Sequence, residues 1–118
     1  MDEAEYYRSV LDNLTGGFLS VSLDGLVVYV NPTAGRILHL PDVGALVGKC
    51  YTLALSGFPA LRGVIRDALA THKTVHRAEV RVLHGDATLT IGYSTLQVRN
   101  RKGDYLGIGI IFQNLTVA

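Results

Sequence analysis

Apolar and polar positions follow two periods along this chain, and the places where one period gives way to the other mark out its elements. Tyr7, Val10, Leu11 and Leu14 fall at i, i+3, i+4 and i+7 on one helical face, and Asp2 followed by Glu5 forms a capping-box arrangement ahead of it. Gly16-Gly17 is expected to stop that helix. The period then shortens to two: Leu19, Val21 and Leu23 share one strand face, and Leu26, Val28 and Val30 share the face of the next. Asp24-Gly25 between them suits the two positive-φ positions of a type I′ hairpin turn. Asn31 then stands as an N-cap, with Pro32 at the first helical position, where its missing N–H costs nothing.

Ala34, Ile37 and Leu38 give a short apolar stripe broken by Pro41 and Gly44. Pro59 opens a longer helix in which Leu61, Val64, Ile65, Ala68 and Leu69 repeat at helical spacing, while Arg62, Arg66 and Asp67 take the opposite face. His72 and Lys73 end it near the negative pole of its dipole. Three strand patterns follow, around Val75 to Leu83, Ala87 to Val98 and Tyr105 to Leu115. In the last, Leu106, Ile108, Ile110 and Phe112 form one side, and Gly107 and Gly109 clear the other so that a second backbone can lie close. The first helix, from this chain or from a partner, is expected to cover that cleared surface.

Two strands, a helical middle and three strands predict an α+β fold: a five-stranded antiparallel sheet with helices over one face. At 118 residues, 48% of them apolar and 18% charged, the chain is of single-domain length and globular in composition. The predicted division is a flanking helix over 1–15 and one domain over 16–118. A net charge of +1 with both signs interspersed supplies no broad positive field, so no nucleic-acid partner and no direct membrane contact are expected. The single cysteine, Cys50, forms no internal bridge, and no apolar run approaches the roughly 20 residues of a membrane span. Both readings point to a cytoplasmic setting.

The succession Ser22-Leu23-Asp24-Gly25-Leu26-Val27-Val28-Tyr29-Val30-Asn31-Pro32-Thr33-Ala34 resembles the opening of a PAS domain, the sensory module of bacterial kinases and regulators, with Ser22 at an acidic position of the family's pattern. Leu46-Val47-Gly48-Lys49, Lys102-Gly103-Asp104-Tyr105-Leu106-Gly107 and Phe112-Gln113-Asn114-Leu115-Thr116 resemble three later family motifs in the family's order, with Asn114 in place of an Asp. The resemblance implies a PAS fold and a non-catalytic chain. It further implies the input module of a two-component sensor histidine kinase, with Asn114 and Thr116 coupling the last strand to a following output domain. A homodimer through Tyr7, Val10, Leu11 and Leu14 is part of the same expectation. The alternative is a ligand-free dimerisation or interaction module of a transcriptional regulator or cyclic-dinucleotide enzyme.

Catalytic and metal-binding patterns add nothing to this. His72 and His76 stand at i, i+4, but His72 closes a helix and His76 is expected in the following strand, so they do not make a metal pair; His39 and His84 read as surface residues. The family's haem-ligating histidine falls at Leu61, ahead of Gly63, which argues against that ligation. Cys50 lacks the flanking residues of the family's photoactive flavin cysteine, and reads as a small, partly buried apolar residue. The chain has no Trp, on which the redox-sensing flavin members rely. No nucleophile elbow, P-loop, kinase or zinc-protease motif is present.

The remaining site is a pocket where the long helix meets the sheet: Leu61, Ile65 and Leu69 opposite Ile91, Tyr93, Ile108 and Ile110, with Tyr29 adding a hydroxyl. Its competing outcome is a filled hydrophobic core. The pure protein is expected to be colourless above the tyrosine band, and a stoichiometric Soret or flavin absorption would overturn the expectation of no cofactor.

Overall fold

The structure, a computed structural model, describes residues 2–116. Met1, Val117 and Ala118, at the outer ends of the two predicted segments, lie outside the described residues. The described chain forms helix α1 (Glu3–Asp12), strands β1 (Gly17–Ser22) and β2 (Val27–Val30), helix α2 (Pro32–Leu38), a 3₁₀ turn (Val43–Leu46), helices α3 (Tyr51–Ala54) and α4 (Pro59–Thr71), and strands β3 (Ala78–His84), β4 (Ala87–Arg99) and β5 (Tyr105–Asn114). All five strands join one antiparallel sheet in the order β2-β1-β5-β4-β3, the expected α+β arrangement. The first and last strands of the chain are therefore neighbours at its centre, paired from Gly17↔Phe112 to Ser22↔Gly107.

One face of that sheet carries the core. Leu19, Val21, Val82, Ile91, Ile108, Ile110 and Phe112 meet Leu61, Ile65 and Ala68 of α4, Ala34 and Leu38 of α2, and Leu55 and Phe58 before α4. Each fully buried Leu, Ile, Val or Phe adds about 1.5–3 kcal/mol relative to exposure, so this layer is the main stabilising term. The helices are bounded as their sequences dictate. Pro32 and Pro59 sit at the starts of α2 and α4, and His39 and His72 end them in the left-handed conformation. Arg66 and Asp67 lie on the solvent side of α4, whereas Arg62 is half-buried.

Several expectations are corrected. Helix α1 ends at Asp12 with Asn13 as its C-cap, so Leu14 lies past its end. The first hairpin is not a type I′ turn, because Gly25 takes a positive φ (84°) and Asp24 does not. Gly25 N–H donates to Ser22 O and Ser22 N–H to Leu26 O, which encloses three residues with the glycine in the left-handed position. In β2 the ladder shifts between Ser20 and Val21, so Val27 and Val30 point into the core while Leu26 and Val28 are exposed. Leu23 and Leu106, expected on the core face, are likewise exposed: Leu23 lies past the end of β1, and Leu106 falls at the shift in the β4–β5 ladder between Val98 and Arg99. The chain between His72 and β3 is irregular, so His76 precedes the strand.

The cleared surface of β5 has a different cause from the one expected. A Cβ on Gly107 would collide with the carbonyl oxygen of Val21 and lie 3.0 Å from Ser22 Cα, so the close backbone is the neighbouring strand β1. Over Gly109 the space is filled by Phe18 and Leu96, and no residue of α1 is buried. Gly107→Ala is expected to cost about 1–3 kcal/mol in urea unfolding because its obstacle is backbone that cannot rotate away. Gly57→Ala, with nothing within 4 Å of the added carbon, is the matched control and should cost nothing; equal stability of the two variants would contradict the close approach.

Candidate functional site

The segment leaving β2 builds a junction around one buried side chain. Asn31, fully buried, caps α2 through Oδ1, which accepts from Ala34 N at 2.8 Å and also from Phe18 N at 2.9 Å. Its Nδ2 donates to Leu11 O at 3.0 Å and to Gly16 O at 3.1 Å. The backbone N–H of Asn31 donates to Phe18 O. Thr33 Oγ1, in the first turn of α2, donates to Leu14 O. One amide thus bonds groups at the end of α1, the start of β1 and the start of α2; of these, Leu11 O also accepts from Leu14 N–H.

The end of β5 lies at the same end of the central strand pair. Because Gly17 pairs with Phe112, the end of β5 emerges where β1 begins. There Asn114 Oδ1 accepts from Thr116 N at 2.9 Å, and Thr116 Oγ1 accepts from Thr90 N at 2.8 Å. Leu115 N–H donates to Thr90 O, so these residues extend the β4–β5 ladder past Asn114. Asn114 supplies the acceptor that an Asp would supply at this position, without its charge.

Of the predicted pocket residues, Leu61, Ile65, Ile91, Ile108 and Ile110 are all at 2% exposure or less within one continuous core cluster, and Leu69 and Tyr93 pack against it. Tyr29 stands apart: it pairs with Ser20 on the opposite face of the sheet, 6.4 Å from the ring of Phe18. A groove of about 400 Å³ opens instead on that opposite face near β3 and the end of β5, lined by Arg77, Glu79, Ser94, Ile111, Gln113 and Leu115 among others. A second hollow of about 590 Å³ lies against α2, between Arg36 and Val43. The predicted dimer residues Tyr7 and Val10 are exposed, while Leu11 and Leu14 are half-buried near the Asn31 junction.

Cys50 is exposed, not partly buried, because it sits in the bend that precedes α3 and covers the edge of β2. The Thr52 hydroxyl, 3.1 Å from its sulfur, draws the thiol below its ordinary pKa. His72 stacks on Tyr105 at 4.2 Å between ring centres, and the Arg99 guanidinium lies 5.1 Å from the same ring. The expectation for the side chain of His84 lies outside the described residues. Sequence reasoning missed the outward reach of Asn31: the helix-cap signal was visible, but its bonds to Phe18, Leu11 and Gly16 cross between elements and leave no local pattern.

This fold agrees with the comparison to known families. The model of the PAS fold matches residues 11–118, and the chain belongs to that family. Among solved structures it is similar to the PAS domain of a protein from Colwellia psychrerythraea, at 13% identity and a TM-score of 0.69 over 98% of both chains. It is also similar to the PAS domain of Bordetella pertussis BvgS, at 16% identity and a TM-score of 0.70 over 98% of this chain and 88% of that one. Vibrio cholerae VqmA, a LuxR-type receptor, aligns at 17% identity and a TM-score of 0.71; this chain spans 95% of its own length but about half (51%) of that chain. Identities this low establish a common fold alone. No curated protein matches the chain in sequence.

Asn31→Asp separates the two roles of the amide, because a carboxylate keeps the acceptor for Ala34 and Phe18 but faces the carbonyls of Leu11 and Gly16 with a second oxygen. It is expected to cost about 1–3 kcal/mol and to speed tryptic cleavage after Arg8 while residues 17–114 stay folded. Cleavage at the wild-type rate would contradict the tie to α1.

Proposed function

We propose that this chain is a sensory PAS module, the cytoplasmic input domain of a two-component sensor histidine kinase, and that it is not itself catalytic. The observation that carries the reading is the shared end of β1 and β5. The helix entering β1 is tied there through Asn31, and the segment leaving β5 is fixed by Asn114 and by the bond of Thr116 to Thr90 of the neighbouring β4. A ligand or partner that favours one packing of the helical layer biases both attachments through the central strand pair, a population shift. A coupling of about 1–3 kcal/mol changes an output several-fold to a hundredfold. No haem or flavin is required by this reading. The absence of any helix long and apolar enough to cross a membrane among the described residues is compatible with it.

The exposed residues Tyr7 and Val10, with Leu11 behind them, form the face through which α1 pairs with a second copy in this reading. The filled layer beneath α4 favours a second reading, a ligand-free interaction module of a transcriptional regulator or cyclic-dinucleotide enzyme. Vibrio cholerae VqmA, similar in fold, is solved bound to DPO and in a complex with DNA. Mass spectrometry of protein purified from cells separates the two: a stoichiometric co-purifying small molecule supports sensing, and its absence supports docking.

Thr116→Val removes the acceptor for Thr90 N–H at an exposed site, a loss of about 1 kcal/mol or less. In the full-length protein, output is expected to become insensitive to input while this domain remains folded. Regulation indistinguishable from wild type would overturn the coupling role.

A further inference from the structure

The two edges of the sheet are finished differently. Along β2, Val27 N–H donates to Lys49 O and Gly48 N–H donates to Val27 O, both at 2.8 Å, and Leu26 bridges Cys50, so the bend before α3 closes that edge. At the other side the sheet ends on β3, and among the described residues no backbone beyond β4 pairs with it. Glu79, Arg81 and Leu83 are exposed along it, and Leu83, at 68%, is the most exposed large apolar side chain described. Helix α4 packs on both β3 and β5, over the interior of the sheet, and leaves the rim open.

Which groups face outward follows from the hairpin. The loop Gly85-Asp86 holds two residues, with Gly85 at φ 60°, and His84 and Ala87 are opposed across it. A two-residue hairpin closes on a hydrogen-bonded pair, so His84, Val82 and Val80 direct their backbone groups at β4. Glu79, Arg81 and Leu83 then direct theirs away from the sheet. Unpaired edges are commonly guarded by charge, and a run of like charges would repel a second strand of the same kind. Here the charges are opposite and two residues apart, which reverses the effect.

We propose that β3 is a pairing edge for a second copy of this chain, antiparallel and two-fold symmetric about Val80. In that register Glu79 stands opposite Arg81 of the second copy and Arg81 opposite its Glu79, each pair exchanging backbone hydrogen bonds and placing opposite charges side by side. Val80 meets Val80 on the core face, flanked by Ala78 against Val82, and two five-stranded sheets become one. A foreign strand would have to match this alternation of charge, whereas the chain matches itself. The pairing is distinct from the contact through α1 proposed above. Two unlike two-fold contacts on one protomer build a tetramer or an extended array.

The full chain is studied by light scattering and by hydrogen exchange at the amides of Glu79 and Arg81 over a concentration series. Exchange there is expected to slow at least tenfold with rising concentration in the wild type. Glu79→Arg and Arg81→Glu should each abolish the slowing, since each makes the opposed side chains alike in sign. An equimolar mixture of the two variants should restore it, because each then faces its opposite, and that recovery also shows that both variants fold. The substitutions leave α1 untouched, so loss of the proposed α1 contact and loss of β3 pairing are read separately. Exchange independent of concentration in the wild type, or a mixture no different from the single variants, would overturn the proposal.

Discussion

The side-chain amide of Asn31 is buried with two acceptor bonds and two donor bonds, and the geometry of this domain turns on it. No other side chain of its size offers both a carbonyl and an NH₂ in one plane. An acid would lose the donors and an aliphatic residue would lose both. Because burial makes an unmet polar group costly, the end of α1, the Phe18 amide near the start of β1 and the first turn of α2 hold one another in register. α1 has no buried residue of its own, so its placement depends on this tie more than on packing.

The central strands transmit that constraint. β1 and β5 lie close because Gly107 leaves room for the Val21 carbonyl, and their other face is pinned by Leu19, Val21, Ile108 and Ile110 in the main core. A strand pair so fixed moves as a unit. In the proposed function, a change in the helical layer would reach the sheet through these packed residues and be presented where α1 enters β1 and the chain leaves β5. An empty chamber is not needed for this route, since two packings of a filled layer can differ in how they seat α4 on β5.

Periodicity made the fold legible. The alternation in β1 and β5, the helical repeat of α4 and the Asn31-Pro32 signal led directly to the architecture, because each reflects a face that must be buried or a terminus that must be capped. What periodicity could not show was irregularity. The shift in β2 that turns Val28 outward and Val27 inward depends on the register with β1, which no local pattern encodes. Tyr29 was legible in principle: alternation sets it opposite Val30, away from the core, where the structure places it beside Phe18. The glycines of β5 were read correctly as clearing space, but only the strand order reveals that β1 takes up that space at Gly107, and side chains at Gly109. Leu61, Ile65, Ile91, Ile108 and Ile110 were legible as converging residues; that they fill their own space is a matter of volume, which spacing does not report.

The central claim is that one buried amide joins α1 to the sheet, and it is tested most directly by nuclear magnetic resonance on the Asn31 side chain. Scalar couplings across the hydrogen bonds from Nδ2 to the carbonyl carbons of Leu11 and Gly16 are predicted, together with exchange of both side-chain amide protons far slower than in an exposed asparagine. Side-chain protons exchanging at the solvent rate, with no coupling to either carbonyl, would contradict the account.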